Sequence, residues 1–366
     1  VAGRWQELEA LLQAGVGEGV YTAAAAVVGL GGEVRWQGAA GRLTADPESP
    51  AVTPATVFDL ASLTKPLATA LSVLVLVQQR TLSLGQRLGE LLPNAWLPRE
   101  KRELTLVSLL THRAGLPAWR PFYQKVLAAA PEQRSTLLEL LAAGEPLTHP
   151  PETTTMYSDL GFMLLKAVVE ETAGQDLDGF CRRTLYEPLG LAGLGFNPRR
   201  RPGGEGLEYA ATEPGLIPGR PGMGEVHDEN AWAAGGVAGH AGLFGTAGEV
   251  FALAAALYRS YLGEPGGRWP ADLVRRFLAP AGPGLRALGF DLAQADPTAR
   301  AAGRFFSEAS VGHLGFTGTS FWMDPESGQL VVLLTNRVHL GRDRLEGIRA
   351  FRPRFHEAAS QALGLA

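Results

Sequence analysis

The chain of 366 residues holds one cysteine, four lysines, four asparagines and four methionines. A single thiol, Cys181, excludes an internal disulfide and a thiolate zinc cluster. It falls in an apolar helical pattern with Phe180 and Leu185, which suits a buried filler rather than a nucleophile. Long hydrophobic runs are also lacking. The longest, Leu67 to Val77, is too short to span a bilayer and contains Thr69 and Ser72, so it reads as a core helix. Neither sign of charge dominates: 33 basic and 37 acidic residues leave a net −4. That balance gives no footprint for a phosphate backbone, so nucleic acid is excluded as a partner and a small-molecule or peptide-like substrate is expected. No phosphate-binding loop or dinucleotide fingerprint is present, and no cofactor is expected. Arg4, Glu7 and Glu9 interrupt any apolar stretch at the start, so no signal peptide opens the chain as it stands. The compartment stays open: extracytoplasmic if a leader was removed, cytoplasmic otherwise.

What is present is a globular composition, 46% hydrophobic and 19% charged, with 46 glycines and 25 prolines scattered without a period. Apolar residues at helical spacing from Arg4 to Gln13 precede Ala23–Val28, Gly31-Gly32 and Val34–Gln37, which predicts a helix and then a hairpin. From Leu60 to about Gly190 the pattern is helical, over Leu67–Gln79, Thr105–Thr111, Thr136–Ala143, Leu160–Ala173 and Asp178–Leu185. Residues 193–230 are rich in Gly, Pro and Arg and read as a long surface excursion. Thr246 and Glu249 form a capping box that opens another helix. Gly315–Met323, a turn at 324–328 and Leu330–Leu334 predict a second hairpin, and a helix over about 342–363 closes the chain. The expected fold is α+β: an antiparallel sheet assembled from both chain ends and flanked by the terminal helices, with an inserted all-helical lobe. The expected division places residues 1–58 and 240–366 in the sheet unit and 59–239 in the lobe.

The sharpest local signal is Ser62-Leu63-Thr64-Lys65, directly before the apolar helical run. A serine at a helix start lies beside free N–H groups and the positive end of the dipole, and a lysine three residues on faces it. A serine hydroxyl needs a base to become a nucleophile, and a desolvated lysine can serve. With 13 serines and four lysines, random placement would give this spacing only about 0.14 times. An N-capping serine with a surface lysine is the plain alternative.

In its setting, Phe58-Asp59-Leu60-Ala61-Ser62-Leu63-Thr64-Lys65 resembles the serine beta-lactamase and penicillin-binding-protein superfamily. Thr105 to Pro117 is similar to the helix and turn after the nucleophile helix in class C-like members. Tyr157-Ser158-Asp159 stands in the place of the second motif, Tyr-x-Asn, and His313-Leu314-Gly315 in that of the third, Lys-Thr-Gly or His-x-Gly. The resemblance covers nearly the whole chain, in order. It implies that Ser62 is acylated, that Lys65 and Tyr157 move protons, and that the N–H groups of Ser62 and Phe316 form the oxyanion hole. His313-Leu314-Gly315 is expected to begin a strand, with Gly315 letting a substrate approach the backbone.

Two departures from the pattern bear on the substrate. Asp159 in place of Asn adds a negative charge that should keep Lys65 charged and repel anions. His313 and Leu314 offer a substrate carboxylate less than Lys-Thr would. Beta-lactam hydrolysis is therefore disfavoured against an ester or a peptide-like amide. A further polar segment, Gly224 to Phe244, is expected to wall the pocket with His227, Asp228, Asn230 and His240, and it resembles bacterial penicillin-binding-protein-like carboxypeptidases. Without an H-E-x-x-H spacing, His227, Asp228 and His240 are read as hydrogen-bonding groups and not as metal ligands. Remaining charges, including Arg199-Arg200-Arg201 and the arginines of the last helix, are expected on solvated faces. The resulting expectation is a D-alanyl carboxypeptidase-like or esterase serine hydrolase, with a beta-lactamase or a non-catalytic ligand-binding protein on the same fold as alternatives.

Overall fold

The computed structural model describes residues 2–215, 222–265, 267–282, 286–293 and 301–366. An N-terminal helix, Ala2–Gly17, leads into strands β1 (Ala23–Leu30) and β2 (Glu33–Gly41). Their turn is Gly31-Gly32, both at positive φ (63° and 76°), the conformation that a two-residue hairpin needs and glycine supplies without strain. After the short β3 (Phe58–Asp59) the chain runs through helices, then β4 (Gly195–Phe196), β5 (Leu243–Gly245) and the helix Ala247–Leu262 with its Thr246–Glu249 capping box. It returns through β6 (Asp291–Leu292), β7 (Val311–Leu314), β8 (Ser320–Met323) and β9 (Gln329–Thr335) to a closing helix, Leu345–Leu363. The six-stranded sheet has the order β2-β1-β9-β8-β7-β6, every pair antiparallel, so β1 of the N-terminal hairpin adds directly to β9 near the C-terminus. The other strands form a small sheet, β3-β5-β4.

Period-two alternation explains the layers. In β1, Ala23, Ala25 and Val27 face the helical side while Ala24, Ala26 and Val28 face the terminal helices, where Leu8, Leu12, Phe351 and Phe355 meet them. In β9, Leu330, Val332 and Leu334 take the first face, and Val331 and Leu333 the second. A strand buried on both sides reads as a continuous apolar run, which is what both sequences are. Ala61–Gln78 is long and apolar enough to cross a membrane, but 83% of it is buried inside the protein. It is a core segment: a π-helical turn, Lys65–Ala70, continued by the helix Leu71–Gln78.

Three local expectations need correction. His313 and Leu314 end β7 instead of beginning a strand, and Gly315 opens the turn to β8, which starts only at Ser320. The excursion over 193–230 is not all surface: Tyr209, Ala210, Val226, His227 and Asn230 are buried, while 216–221 lie outside the described residues. The last helix contains a buried arginine, Arg352, and Arg201 is paired with Asp178 at 2.5 Å, so these are not simply solvated charges.

Candidate active site

Ser62 lies in a tight turn, Ala61–Leu63, directly before Lys65. Ala61 adopts φ 48°, a left-handed conformation that costs a non-glycine residue about 1 kcal/mol or more and that neighbours must hold. Asp59 does so: its Oδ1 accepts from Ala61 N at 2.8 Å, and its Oδ2 accepts from His227 N at 2.6 Å. Two threonines of the β7–β8 turn then tie that turn to the Ser62 turn. Thr317 Oγ1 donates to Asp59 O at 2.8 Å and Thr319 Oγ1 to Leu60 O at 3.1 Å. The fit leaves no room at Gly315, where a Cβ would overlap Thr319 Oγ1 and lie 2.8 Å from Leu60 O. These ties bring the Phe316 segment beside Ser62, and both residues line one cavity. Among the described residues, neither the Ser62 nor the Phe316 N–H donates to a protein acceptor.

Lys65 is fully buried. Its Nζ is 3.0 Å from Ser62 Oγ, 2.7 Å from Asp159 Oδ1 and 3.2 Å from His240 O, and it lies 4.7 Å from the centre of the Tyr157 ring. Burial alone would lower the lysine pKa, but the charge of Asp159 and the phenol of Tyr157 outweigh it, and the pKa is raised above 10.5. Asp159 arrives here because Ser158 caps the helix Asp159–Ala173, its Oγ accepting from Gly161 N. Tyr157, just before that cap, is held as a neutral phenol: burial pushes its pKa up against the opposing charge of Lys65.

His112, which the sequence reading passed over, positions Tyr157. Its ring lies 4.6 Å from that of Tyr157, its Nδ1 accepts from Ser158 N at 3.0 Å, and its own backbone is left-handed, at φ 58°. Burial drives its pKa well below 6.5, so the ring is neutral. His313 is neutral for the same reason, its pKa lowered to about 4 by burial despite Asp291. Its Nδ1 donates to Leu314 O at 2.8 Å, which leaves Nε2 as a buried acceptor without a partner among the described residues.

The cavity at Ser62 measures about 610 Å³ and includes Tyr157, His313, Gly315, Phe316 and a group of arginines, Arg286, Arg337, Arg349 and Arg352. Arg286 pairs with Asp291. Arg352 donates to the carbonyls of Gly315 and Thr319 at 2.9 and 2.8 Å, and its Nε has no partner among the described residues. Burial, with Arg337 and Arg349 nearby, lowers its pKa to about 9. Arg337 is also buried, stacks on Phe316 at 4.7 Å, and its Nη2 has no partner among the described residues. No local motif marks these arginines. They are separated along the chain, and only the packing of the last helix on the sheet gathers them.

The four polar residues expected on the pocket wall do not line this cavity. The Asn230 side chain accepts from Tyr123 N at 2.8 Å and donates to Arg120 O at 2.9 Å, bracing two loops. The His227 ring stacks on Phe316 and reaches Glu213 at 3.1 Å. Asp228 and His240 pair with each other behind Lys65. A carboxylate oxygen or ring nitrogen from each of Asp159, Asp228 and His240 lies within 4.8 Å of the others, but the Lys65 ammonium is already in contact with this group.

Residues 8–352 match the family model described as Beta-lactamase. A protein of Escherichia coli (strain K12) named as a candidate D-alanyl-D-alanine carboxypeptidase is 33% identical over 317 residues, which is 78% of this chain and 70% of that one. The N-acetylmuramyl-L-alanine amidase of Bacillus subtilis (strain 168) is 32% identical over 305 residues, 78% of this chain and 68% of the amidase. Among solved structures, the octameric penicillin-binding protein homologue from Pyrococcus abyssi superposes with a TM-score of 0.74 at 18% identity, covering 98% of this chain and 77% of that one. The hydrolase EstCE1 does so with a TM-score of 0.71 at 22% identity, covering 96% and 98%. On this match the chain belongs to the beta-lactamase family and is a serine hydrolase.

Proposed function

We propose that the protein cleaves a peptide-like amide that ends in a free carboxylate, through an acyl-enzyme on Ser62. The observation that carries this reading is the unbroken run Ser62 Oγ, Lys65 Nζ, Asp159 Oδ1, with steps of 3.0 and 2.7 Å. An ammonium has no lone pair, so Lys65 can take the serine proton only as it passes one of its own to Asp159. As Oγ bonds to the carbonyl carbon, the Ser62 and Phe316 N–H groups receive the oxyanion. Collapse breaks the C–N bond, and the leaving amine takes the Tyr157 hydroxyl proton, which Lys65 replaces as Asp159 returns its own. Water then attacks the acyl-enzyme by the same route in reverse, and Ser62 regains its proton.

Arg337, Arg349 and Arg352 support the carboxylate. Two of them are buried cations with N–H groups that meet no acceptor among the described residues, and an anion there would relieve their mutual repulsion. They stand in for the Lys-Thr pair that His313 and Leu314 do not supply. The reading also relies on a division into a sheet unit, 1–58 with 240–366, and a lobe, 59–239, with the reacting groups drawn from both. One observation favours an ester substrate as the second reading: Leu292, Ala293, Leu314 and Trp322 give the same cavity an apolar wall for an acyl chain. Intact-mass spectrometry after a fluorophosphonate or benzylpenicillin, beside Ser62→Ala, tests the nucleophile. An adduct that persists in the variant refutes it. Release of D-alanine from an acyl-D-Ala-D-Ala peptide, against hydrolysis of p-nitrophenyl butyrate, separates the two substrates.

A further inference from the structure

Besides the side chains that it meets, Lys65 Nζ contacts a backbone group, the carbonyl of His240, at 3.2 Å. Residue 240 sits among Gly235, Gly236, Gly239 and Gly242, a stretch with little conformational preference of its own. Something else must fix it. His240 is buried, and its Nε2 lies 2.9 Å from Asp228 Oδ1. A carboxylate only accepts, so Nε2 carries the proton and donates. The same Oδ1 accepts from Ala231 N at 2.7 Å, capping the short helix Glu229–Ala233. Burial would raise the Asp228 pKa, but the His240 ring, the Ala231 N–H and the charge of Lys65 bring it to about 2, so it is an anion at every working pH.

The charges around Lys65 can be assigned one by one. Asp159 touches Nζ, and the Tyr157 phenol beside it is neutral. Farther out, His112 and His313 are held neutral by burial, and Arg286 pairs with Asp291. His240 meets Nζ with its carbonyl while its ring faces Asp228. Among the described residues, Asp159 and Asp228 are therefore the anions assigned to the surroundings of the ammonium, the second of them paired with the His240 ring.

Resting on the assignment of Ser62 and Lys65 above, we propose that Asp228 and His240 are a positioning pair for Lys65. His240 presents the carbonyl that fixes the ammonium, and Asp228 holds His240 in place while adding a second negative charge to the field at Nζ. Neither residue lines the substrate cavity.

The four lysines make the test direct. Protein labelled with 13C at lysine Cε gives one resonance for each, and Lys65→Arg assigns that of Lys65. Asp228→Asn keeps a good helix cap while removing the charge. Its Lys65 midpoint should fall by about one pH unit or more from above the normal lysine value, and the Lys65-governed limb of the kcat/KM profile for p-nitrophenyl acetate should move down with it. His240→Gln leaves the charge but removes the ring that holds the loop, so kcat should drop about tenfold with KM and the Lys65 midpoint unchanged. An unmoved midpoint in a folded Asp228→Asn overturns the proposal. Should that variant not fold, full activity in His240→Gln overturns it and the kcat loss supports it. A wrong nucleophile has a separate signature: turnover persists in Ser62→Ala while the lysine titration still responds to Asp228→Asn.

Discussion

Replacing Asp159 by Asn leaves a fully buried lysine without its closest counter-charge. Breaking a buried ion pair from one side costs about 3–5 kcal/mol, because the remaining charge is uncompensated. Lys65 can escape by losing its proton, and that sets a ceiling on the penalty of the unpaired charge. An unfolded lysine titrates at 10.5, so deprotonating it on folding costs about 1.4 kcal/mol for each pH unit below that value. The ceiling is about 5 kcal/mol at pH 7 and about 1.4 kcal/mol at pH 9.5. The wild-type lysine behaves in the opposite sense. Its folded pKa is raised, so its contribution is complete below 10.5 and is lost only as the pH rises through the folded value. The wild type should therefore gain or lose nothing from this group between pH 7 and 9.5. Urea unfolding of both proteins at the two pH values measures the difference directly, and other titrations cancel in it. The expected result is a gap of about 3–5 kcal/mol at pH 7 that is clearly smaller at pH 9.5. Turnover of p-nitrophenyl acetate should fall at least about a hundredfold, since the proton acceptor is gone. A gap of the same size at both pH values would refute the charged state assigned to Lys65, and unchanged turnover would refute the role of Asp159.

Three further outcomes follow from other parts of the site. Arg349 lines the cavity but is exposed enough to change without harm to the core, and Arg349→Ala should raise KM for a carboxylate-terminated peptide about tenfold while leaving a neutral ester unaffected; steady-state kinetics on the two substrates checks it. His112→Ala removes the ring that packs on Tyr157 and should lower kcat about tenfold or more, with far less change in KM. Single-turnover kinetics should place that loss in acylation. His313 and His356 are both buried neutral with pKa values lowered to about 4, so folding stability should fall as the pH drops from about 6.5 to 4, by up to about 3 kcal/mol for each ring. His356→Leu, distant from the reacting groups, should remove its share, as urea unfolding at pH 7 and pH 4.5 would show.

The elements that followed strict periodicity were legible before any coordinates. The hairpin about Gly31-Gly32, the apolar β9, the capping box at Thr246 and the buried run after Lys65 each carry their instruction within a dozen residues. The same is true of Ser62 and Lys65, whose spacing places them on one face of one turn. What could not be read was anything set by contact between distant segments. His313-Leu314-Gly315 has the composition of a strand start, yet Thr317 and Thr319 bond to the carbonyls of Asp59 and Leu60, and the turn they hold ends the strand at Leu314. His112 looks like any turn residue until its ring is found against Tyr157. Arg352 follows helical periodicity on a helix rich in arginine, and nothing in that pattern tells a buried guanidinium from a solvated one.

The departures from the family motifs gain a common sense once the charges are placed. With Asn in the second motif and Lys in the third, a site would carry two cations close to the nucleophile, one of them free to meet a substrate carboxylate. Here Asp159 and Asp228 surround Lys65 with negative charge, and the third motif supplies only a neutral His313. A carboxylate held at that motif would meet a neutral ring where the family pattern has a lysine. On the reading proposed above, the positive charge is supplied instead by Arg337, Arg349 and Arg352, which line the cavity with Gly315 and Phe316 while Asp159 and Asp228 do not. Opposite charges interact more strongly across a low-dielectric cavity than across water, so the arginines matter most once substrate has displaced the solvent. The expected Asp159 repulsion of anions and the recognition of a carboxylate are therefore compatible. On the proposed reading they fall to different groups: the acids hold Lys65, and the arginines of the cavity hold the substrate carboxylate.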